Sequence, residues 1–286
     1  MKLKDNPFSN KDSLKIGDKI IDFSTPKIMG VINVTPDSFF DGGKNNSIEK
    51  AVIKAHDMVS EGADFIDVGG YSSRPGADEV SVQEEISRTL PVVEAIYKAI
   101  PGIYISIDTF RKKVAEKNVE VGATWVNDIS AGNMDSQMIP WVKENKIPYI
   151  AMHMRGTPQN MQSNCEYINL TNEVIAELIY SVRELDSEHP LILDPGFGFS
   201  KTLDQNYQLM NNLESFAKLK QPFLVGVSRK SMIYKLLNSS PIESLNGTTV
   251  LNTLGVLKGA SILRVHDVKE ASEVLTLLKK VSNLIK

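Results

Sequence analysis

"KIMGVINVTPDSFFDGG" (residues 27–43) begins as an apolar run that ends at Asn33 and Val34, and Thr35, Pro36, Asp37 and Ser38 follow before two adjacent glycines. Apolar residues at successive positions, rich in Val and Ile, are the mark of a strand covered on both faces. The Pro and Gly residues that follow mark a loop. Next comes "SIEKAVIKAHDMVSEG" (47–62), a stretch of helical period, with Ser47 placed as an N-cap and Gly62 as a C-terminal stop. This strand, polar loop and helix form a unit that the rest of the chain repeats.

Further strands are expected at "DFIDVGG" (64–70), "YISIDTF" (104–110), "WVNDIS" (125–130) and "PYIAMHM" (148–154), then at "LILDPG" (191–196), "FLVGVS" (223–228) and "SILRVHD" (261–267). Helical segments lie between them, among them "SVQEEISRTLPVVEAIYKAI" (81–100), opened by Ser81, and a stretch around 171–185. Eight such strands alternating with helices predict a (β/α)8 TIM barrel. An open doubly wound sheet is the alternative, weakened because no G-x-G-x-x-G opens a first helix. "LKIGDKIIDF" (14–23) reads as a short N-terminal hairpin, a plug beneath the main sheet. No linker composition interrupts the chain, so residues 1–286 are expected to form a single domain.

Composition narrows the class of partner. A chain 42% hydrophobic and 23% charged is that of an ordinary globular protein. A net charge of −3 with pI near 5.9 argues against a general affinity for nucleic acid or an anionic membrane. Cys165 is the only cysteine, which suits a reducing compartment. The first residues lack the apolar core of a secretory signal, and no apolar run approaches the roughly 20 residues that cross a bilayer. A cytoplasmic enzyme or binding protein is expected.

In such a barrel, the C-terminal ends of the strands and the loops after them build the active site. The unusual polar residues fall there: Asn33; Ser72, Ser73 and Arg74; Asp108; Asn127 and Asp128; His153; Asp194; Ser228, Arg229 and Lys230; Arg264 and His266. Each alone has a plainer reading, such as a helix cap at Asn127-Asp128 or an interior histidine at His266. Their convergence on one end of the barrel points to a site. Arg74, Arg264, His266 and the Ser72 and Ser73 hydroxyls are donors suited to a phosphate or pyrophosphate. "SRKS" (228–231) also reads as a helix start, where free N–H groups favour an anion. Asp108, Asn127 and Asp194 suit a flat heterocycle whose edge carries several N–H donors.

These segments resemble dihydropteroate synthase of the folate pathway. "IMGVINVTPDSFFDGG", "DVGGYSSRPGA", "SIDTF", "VNDIS", "MHMRGTPQNMQ", "LDPGFGFSKT", "VGVSRKSM" and "RVHDV" match that family's signatures in order, from about residue 14 onward. The resemblance implies condensation of 6-hydroxymethyl-7,8-dihydropterin diphosphate with 4-aminobenzoate to give 7,8-dihydropteroate and pyrophosphate, with Mg²⁺, through an SN1-like path. Asp108, Asn127, Ile129, Met152, Asp194, Gly226 and Lys230 would hold the pterin. Asn33, Ser73, Arg74, Arg264 and His266 would hold the diphosphate, and Asn33 with Asp37 the metal. Phe39, Ser73, Pro75, Phe199, Lys230 and Ser231 would frame the aminobenzoate, where sulfonamides would compete. Asp108, Lys230, Asn33, Arg264 and His266 would carry the catalysis, with loops 35–46 and 71–80 closing over it. A homodimer is implied as well.

Two departures stand out: the family commonly has Glu-Ser-Thr-Arg-Pro where this chain has Tyr71-Ser72-Ser73-Arg74-Pro75. Ser73 keeps the hydroxyl and loses a methyl. The competing readings are a methyltetrahydrofolate-dependent methyltransferase and a non-catalytic pterin-binding paralogue. The pyrophosphate donors and the "TPDSF" loop count against the first, and the presence of Lys230 against the second.

Overall fold

The computed structural model describes residues 13–17, 19–34, 44–72 and 79–284. An antiparallel hairpin of β1 (Ser13–Ile16) and β2 (Lys19–Asp22) precedes the main sheet. That sheet holds β3 (Lys27–Asn33), β4 (Phe65–Gly69), β5 (Tyr104–Asp108), β6 (Trp125–Asp128), β7 (Tyr149–Met152), β8 (Leu191–Asp194), β9 (Leu224–Val225) and β10 (Ile262–Val265). The pairing is parallel throughout, and the order β8-β7-β6-β5-β4-β3-β10-β9 is closed by a parallel bridge between Leu193 and Phe223. The expected (β/α)8 barrel with its N-terminal hairpin is therefore the observed fold.

The helices that wrap it are α1 (Lys44–Ser60), α2 (Val82–Ala99), α3 (Lys112–Glu120), α4 (Met138–Asn145) and α5 (Leu170–Ser181), followed by α6 (Leu203–Asn211), α7 (Glu214–Ala217), α8 (Ser231–Tyr234), α9 (Leu245–Leu257) and α10 (Val268–Leu284). Ser81 caps α2 as expected, its side chain accepting the N–H of Glu84 at 3.1 Å. Ser47 is not a cap. The helix starts at Lys44, because the polar residues before Ser47 include no proline or β-branched residue to stop it propagating backwards. Gly62 does end α1, with φ +111° and its N–H on the Val59 carbonyl.

The period of two along a strand sorts side chains into two sets. One set faces the helices: Ile32, Ile66, Val68, Ile107, Val126, Leu193, Leu263 and Val265 belong to the large outer core. The other set fills the barrel. Met29, Phe65, Trp125, Ile150, Ile192, Leu224 and Ile262 make a bottom layer, sealed by Leu14, Ile21 and Phe23 of the hairpin segment.

On β10 the outward pair is Leu263 and Val265, and the inward residues are Ile262 and Arg264. Above the apolar bottom layer, the same inward parity brings up Asp67, Ser106, Asn127, Asp194 and Arg264. The barrel is thus apolar below and polar above, and the polar layer is the floor of whatever binds at the top.

Every strand ladder ends earlier than the apolar runs suggested. The ladders stop at Asn33, Gly69, Asp108, Asp128, Met152, Asp194, Val225 and Val265. Beyond these positions the chain turns into loops, so the polar residues sit at the strand mouths. "FLVGVS" shortens most, to Leu224–Val225.

Phe65 tests the bottom layer. It is fully buried, stacked on Tyr104 with ring centroids 5.2 Å apart and edge-on to Trp125 at 5.7 Å. Phe65→Ala should cost about 3–5 kcal/mol in denaturant unfolding. A loss below about 1 kcal/mol would show that the layer is not the packed base described here.

Candidate active site

The floor is organised by a half-buried arginine. The Nε of Arg264, on β10, donates to Asp67 Oδ2 at 2.7 Å, and its Nη2 donates to Asp108 Oδ2 at 2.7 Å. Asp67 Oδ2 also accepts from Asn127 Nδ2 at 3.0 Å. Residues from β4, β5, β6 and β10 are thereby tied into one network across the barrel. Burial opposes the charge on Arg264, but Asp67 and Asp108 more than offset it and hold its pKa above the ordinary value. Asp108 goes the other way. Burial raises its pKa to about 7 against the pull of Arg264, and Asp67 adds repulsion.

Above this floor opens a cleft lined by Asp108, Asn127, Ile129, Met152, Asp194, Phe199, Gly226, Lys230 and Arg264. The Lys230 ammonium lies 4.7 Å from the centre of the Phe199 ring and donates to the Phe197 carbonyl. Burial lowers its pKa to about 8, while Asp194 draws it back up. Burial likewise raises Asp194, which Lys230 opposes, and its Oδ1 accepts the Gly196 N–H at 2.8 Å. Phe110, Ile129, Met152, Met154 and Met161 form an apolar wall, against which Tyr71, Met134 and Phe199 pack. One cleft therefore combines acceptors at its floor, an ammonium on one side and flat apolar walls.

Every pterin residue expected from the sequence lines this cleft, and so do Phe199 and Arg264. Arg264, expected among the phosphate donors, engages the floor carboxylates through Nε and Nη2. His266 follows the last residue of β10. Burial, with Arg264 and Lys54 nearby, lowers its pKa to about 4, so it is a neutral N–H donor at pH 7 and not a cation. The Ser228 hydroxyl accepts the His266 backbone N–H at 3.2 Å and lies 3.1 Å from Nδ1. Donation from that hydroxyl to Nδ1 puts the ring proton on Nε2. Asn33 ends β3, and its Oδ1 and the Asp108 carboxylate flank Gly69, where there is no side chain to separate them. Ser231 opens α8 beside Lys230. That helix is only four residues long, which leaves little of an N-terminal anion site. Asp37, Phe39, Ser73, Arg74 and Pro75 lie outside the described residues, as does most of loops 35–46 and 71–80.

Three polar residues of the convergent set turn out to be structural. Asp128 is buried and accepts from the Tyr149 hydroxyl at 2.6 Å and from the Ser130 and Gly132 N–H groups. Arg229 turns aside to pair with both oxygens of Asp267, at 2.9 and 2.7 Å. His153 is buried between Glu177 and Lys201. Two residues were missed by sequence reasoning. Asp67 carries the same parity as Phe65 and Gly69 on its strand, a signal that would have turned it inward. Lys201, inside "LDPGFGFSKT", follows the aromatic cleft wall by two residues, yet its ammonium is buried. Tyr71 also acquires a role. Its ring sits edge-on to Phe110 at 5.2 Å, and its hydroxyl accepts from Gln159 at 2.8 Å, joining the loops after β4 and β7.

Comparison with known proteins places this geometry. Residues 29–266 match the family described as pterin binding enzyme. The dihydropteroate synthase of Escherichia coli (strain K12) is 43% identical over 91% of this chain and 93% of its own length. The Yersinia pestis dihydropteroate synthase, solved as a complex with a sulfonamide drug, superposes with a TM-score of 0.88 at 38% identity, covering 95% of this chain and 99% of that one. The Xanthomonas albilineans dihydropteroate synthase in complex with 7,8-dihydropteroate gives 0.83 at 33% identity, over 94% and 98% of the two chains.

The arginine network makes its own prediction. Asp67 is fully buried, so Asp67→Ala would leave the Arg264 guanidinium short of a partner in the barrel interior. The loss should be about 3–5 kcal/mol by chemical denaturation. A change under about 1 kcal/mol would mean that Arg264 does not depend on Asp67.

Proposed function

This chain belongs to the dihydropteroate synthase family of pterin-binding enzymes, and we propose how its cleft performs that family's reaction. The substrates are 6-hydroxymethyl-7,8-dihydropterin diphosphate and 4-aminobenzoate, and the products are 7,8-dihydropteroate and pyrophosphate. The observation that carries the reading is the single cleft that gathers Asp108, Asn127, Asp194 and Lys230 over one floor.

Asp108 and Asp194 accept N–H bonds from the pterin edge, and Asn127 offers both an acceptor and a donor. Ile129 and Met152 bound the flat ring. The floor holds Asp67, Asp108 and Asp194 against Arg264 and Lys230, so an ionised Asp108 leaves it with excess negative charge. Such a floor favours positive charge on a bound ring. The CH₂–O bond breaks, its electron pair leaves with the diphosphate, and the dihydropterin delocalises the resulting cation. The neutral aniline nitrogen then attacks the methylene, and its proton passes to pyrophosphate or water. Arg74 and the Nε2–H of His266 assist the departing anion. Phe199 and Lys230 hold the aminobenzoate together with Phe39, Ser73, Pro75 and Ser231. Sulfonamides compete there.

Mg²⁺ fits the strand-end chemistry. The Asn33 amide oxygen is a hard donor near Gly69 and the Asp108 carboxylate, and no group of three or more His, Cys, Asp or Glu side chains among the described residues offers a rival cage. A site built of Asn33 and Asp37 with phosphate oxygens and waters suits an ion that keeps much of its hydration. When bound, it supplies positive charge to the leaving group.

We also propose a homodimer. Val250, Leu254 and Leu257 on α9 and Leu277 and Val281 on α10 are exposed large apolar residues, and the two helices pack side by side. The barrel wall takes up Val274 but not Leu277 or Val281. Light scattering should give twice the chain mass at micromolar concentration, and a monomer would remove the claim. The sole cysteine suits a cytoplasmic setting, and no described helix is long and apolar enough to cross a membrane.

Pyrophosphate release should require both substrates, and equal release without 4-aminobenzoate would contradict the condensation. Asp108 supplies a second, pH-dependent check. With its pKa raised to about 7, it is largely protonated below that pH and ionised above it. Pterin binding that needs the ionised form should therefore release a proton at pH 6 and almost none at pH 9. Calorimetry in buffers of different ionisation enthalpy reads this directly. Asp108→Asn should abolish the linkage and lower turnover by roughly tenfold to a hundredfold. Wild-type binding without proton release at pH 6 would rule out the ionised acceptor.

A further inference from the structure

The segment from Asp194 to Lys201 joins the two halves of the cleft, because it starts at a floor carboxylate and carries Phe199 into the wall. Its backbone is tightly coiled, with positive φ at Gly196 (+72°), Gly198 (+82°) and Ser200 (+45°). At Gly196 a Cβ would lie 2.0 Å from the His153 carbonyl oxygen, so glycine is required there. This coil turns three carbonyls onto lysine ammonium groups. The Phe197 carbonyl accepts from Lys230, on the cleft side. The Gly196 and Phe199 carbonyls each accept from Lys201 Nζ at 3.0 Å.

Lys201 is 3% exposed and does not line the cleft. Its third contact is His153 Nδ1, at 3.0 Å. An ammonium can only donate there, so Nδ1 carries the lone pair and Nε2–H faces the Glu177 carboxylate at 3.0 Å. Glu177 in turn binds Arg155. Arg155 lies 3.9 Å from the Tyr167 ring, whose hydroxyl donates to the Ser200 carbonyl at 2.9 Å. The backbone N–H of Arg155 donates to Ser200 Oγ at 3.0 Å. The coil is therefore held by Lys201 through the Gly196 and Phe199 carbonyls and by the Arg155 group through Ser200. Burying an ammonium is costly, and the pKa of Lys201 falls to about 7 as a result. A residue that merely filled this space would not need three polar contacts.

We propose that Lys201 is a positioning residue for the aminobenzoate half of the reaction, fixing the Gly196–Ser200 backbone so that Phe199 and Lys230 meet that substrate at a set spacing. The proposal rests on the assignment of the cleft given above. Of the pterin groups, Asp108, Asn127 and Asp194 end strands β5, β6 and β8, which hold them independently of the clamp, and Lys230 is the one member that the two substrates share.

The test is Lys201→Met in the full chain, assayed beside wild type with pterin diphosphate, 4-aminobenzoate and Mg²⁺. The KM for 4-aminobenzoate should rise about tenfold or more, with the inhibition constant of a sulfonamide rising in parallel. The Kd for pterin diphosphate by calorimetry should stay within about threefold of wild type. A lysine with only a structural role would lower the melting temperature without separating the two substrates. An unchanged KM, or equal losses for both substrates, would overturn the proposal. Should Lys201→Met not fold, Glu177→Leu acts on the same clamp from the surface by releasing His153. It should raise the same KM by about threefold, and no rise would overturn the proposal. Absence of turnover in wild type would refute the assignment of the cleft, a failure distinct from either result with the variants.

Discussion

The Arg264 guanidinium, held between Asp67 and Asp108, is the interaction on which the upper barrel depends. Charges buried at this depth persist only when paired and hydrogen-bonded. Arg264 meets that condition by drawing carboxylates from two other strands onto itself, and Asn127 completes the set. The network needs the strands in register. Asp67 pairs with Ser106 across one ladder, and Asp108 pairs with Asn127 across the next. The apolar layer of Phe65, Trp125 and Ile192 below it keeps water from entering through the base. The floor is consequently rigid, polar and more negative than positive once Asp108 ionises.

The two halves of the cleft are built differently. The pterin groups stand on strand ends, where ladder bonds and the arginine network hold them. The aminobenzoate wall instead hangs on a coiled segment whose carbonyls accept from Lys201 and Lys230. Strand ends provide a fixed recognition edge. A loop provides reach across the mouth but needs its own clamps, and two lysines, one buried and one lining the cleft, supply them. Tyr71 extends the same logic to the loop after β4, where its hydroxyl meets Gln159 across the mouth.

Much of this was legible in the sequence. The barrel followed from eight repeats of apolar run, polar loop and helix, and Asp108, Asn127, Asp194 and Lys230 stood out as polar residues at the ends of apolar runs. Asp67 escaped notice because it lies inside its run, where only strand parity distinguishes an inward carboxylate from an outward one. Lys201 carries no mark in the sequence beyond following a glycine-rich turn, and only the positive-φ coil shows that its ammonium is enclosed. Asp128 and Arg229 misled for the opposite reason. Their positions match those of site residues, but local partners turn them away: Tyr149 and the Ser130 turn for one, Asp267 for the other. Sequence position identifies the end of the barrel at which a residue lies. It does not determine the partner that the side chain chooses.

The central claim is that this negatively biased floor lets the pterin methylene ionise before the aniline nitrogen attacks. The direct measurement is the secondary deuterium isotope effect on kcat/KM for pterin diphosphate labelled at that methylene, with 4-aminobenzoate as the acceptor. Ionisation flattens the carbon toward trigonal geometry in the transition state, so the account predicts a normal effect clearly above unity. An effect at unity or inverse, with bond breaking shown to limit the rate, would contradict it and indicate direct displacement by the amine.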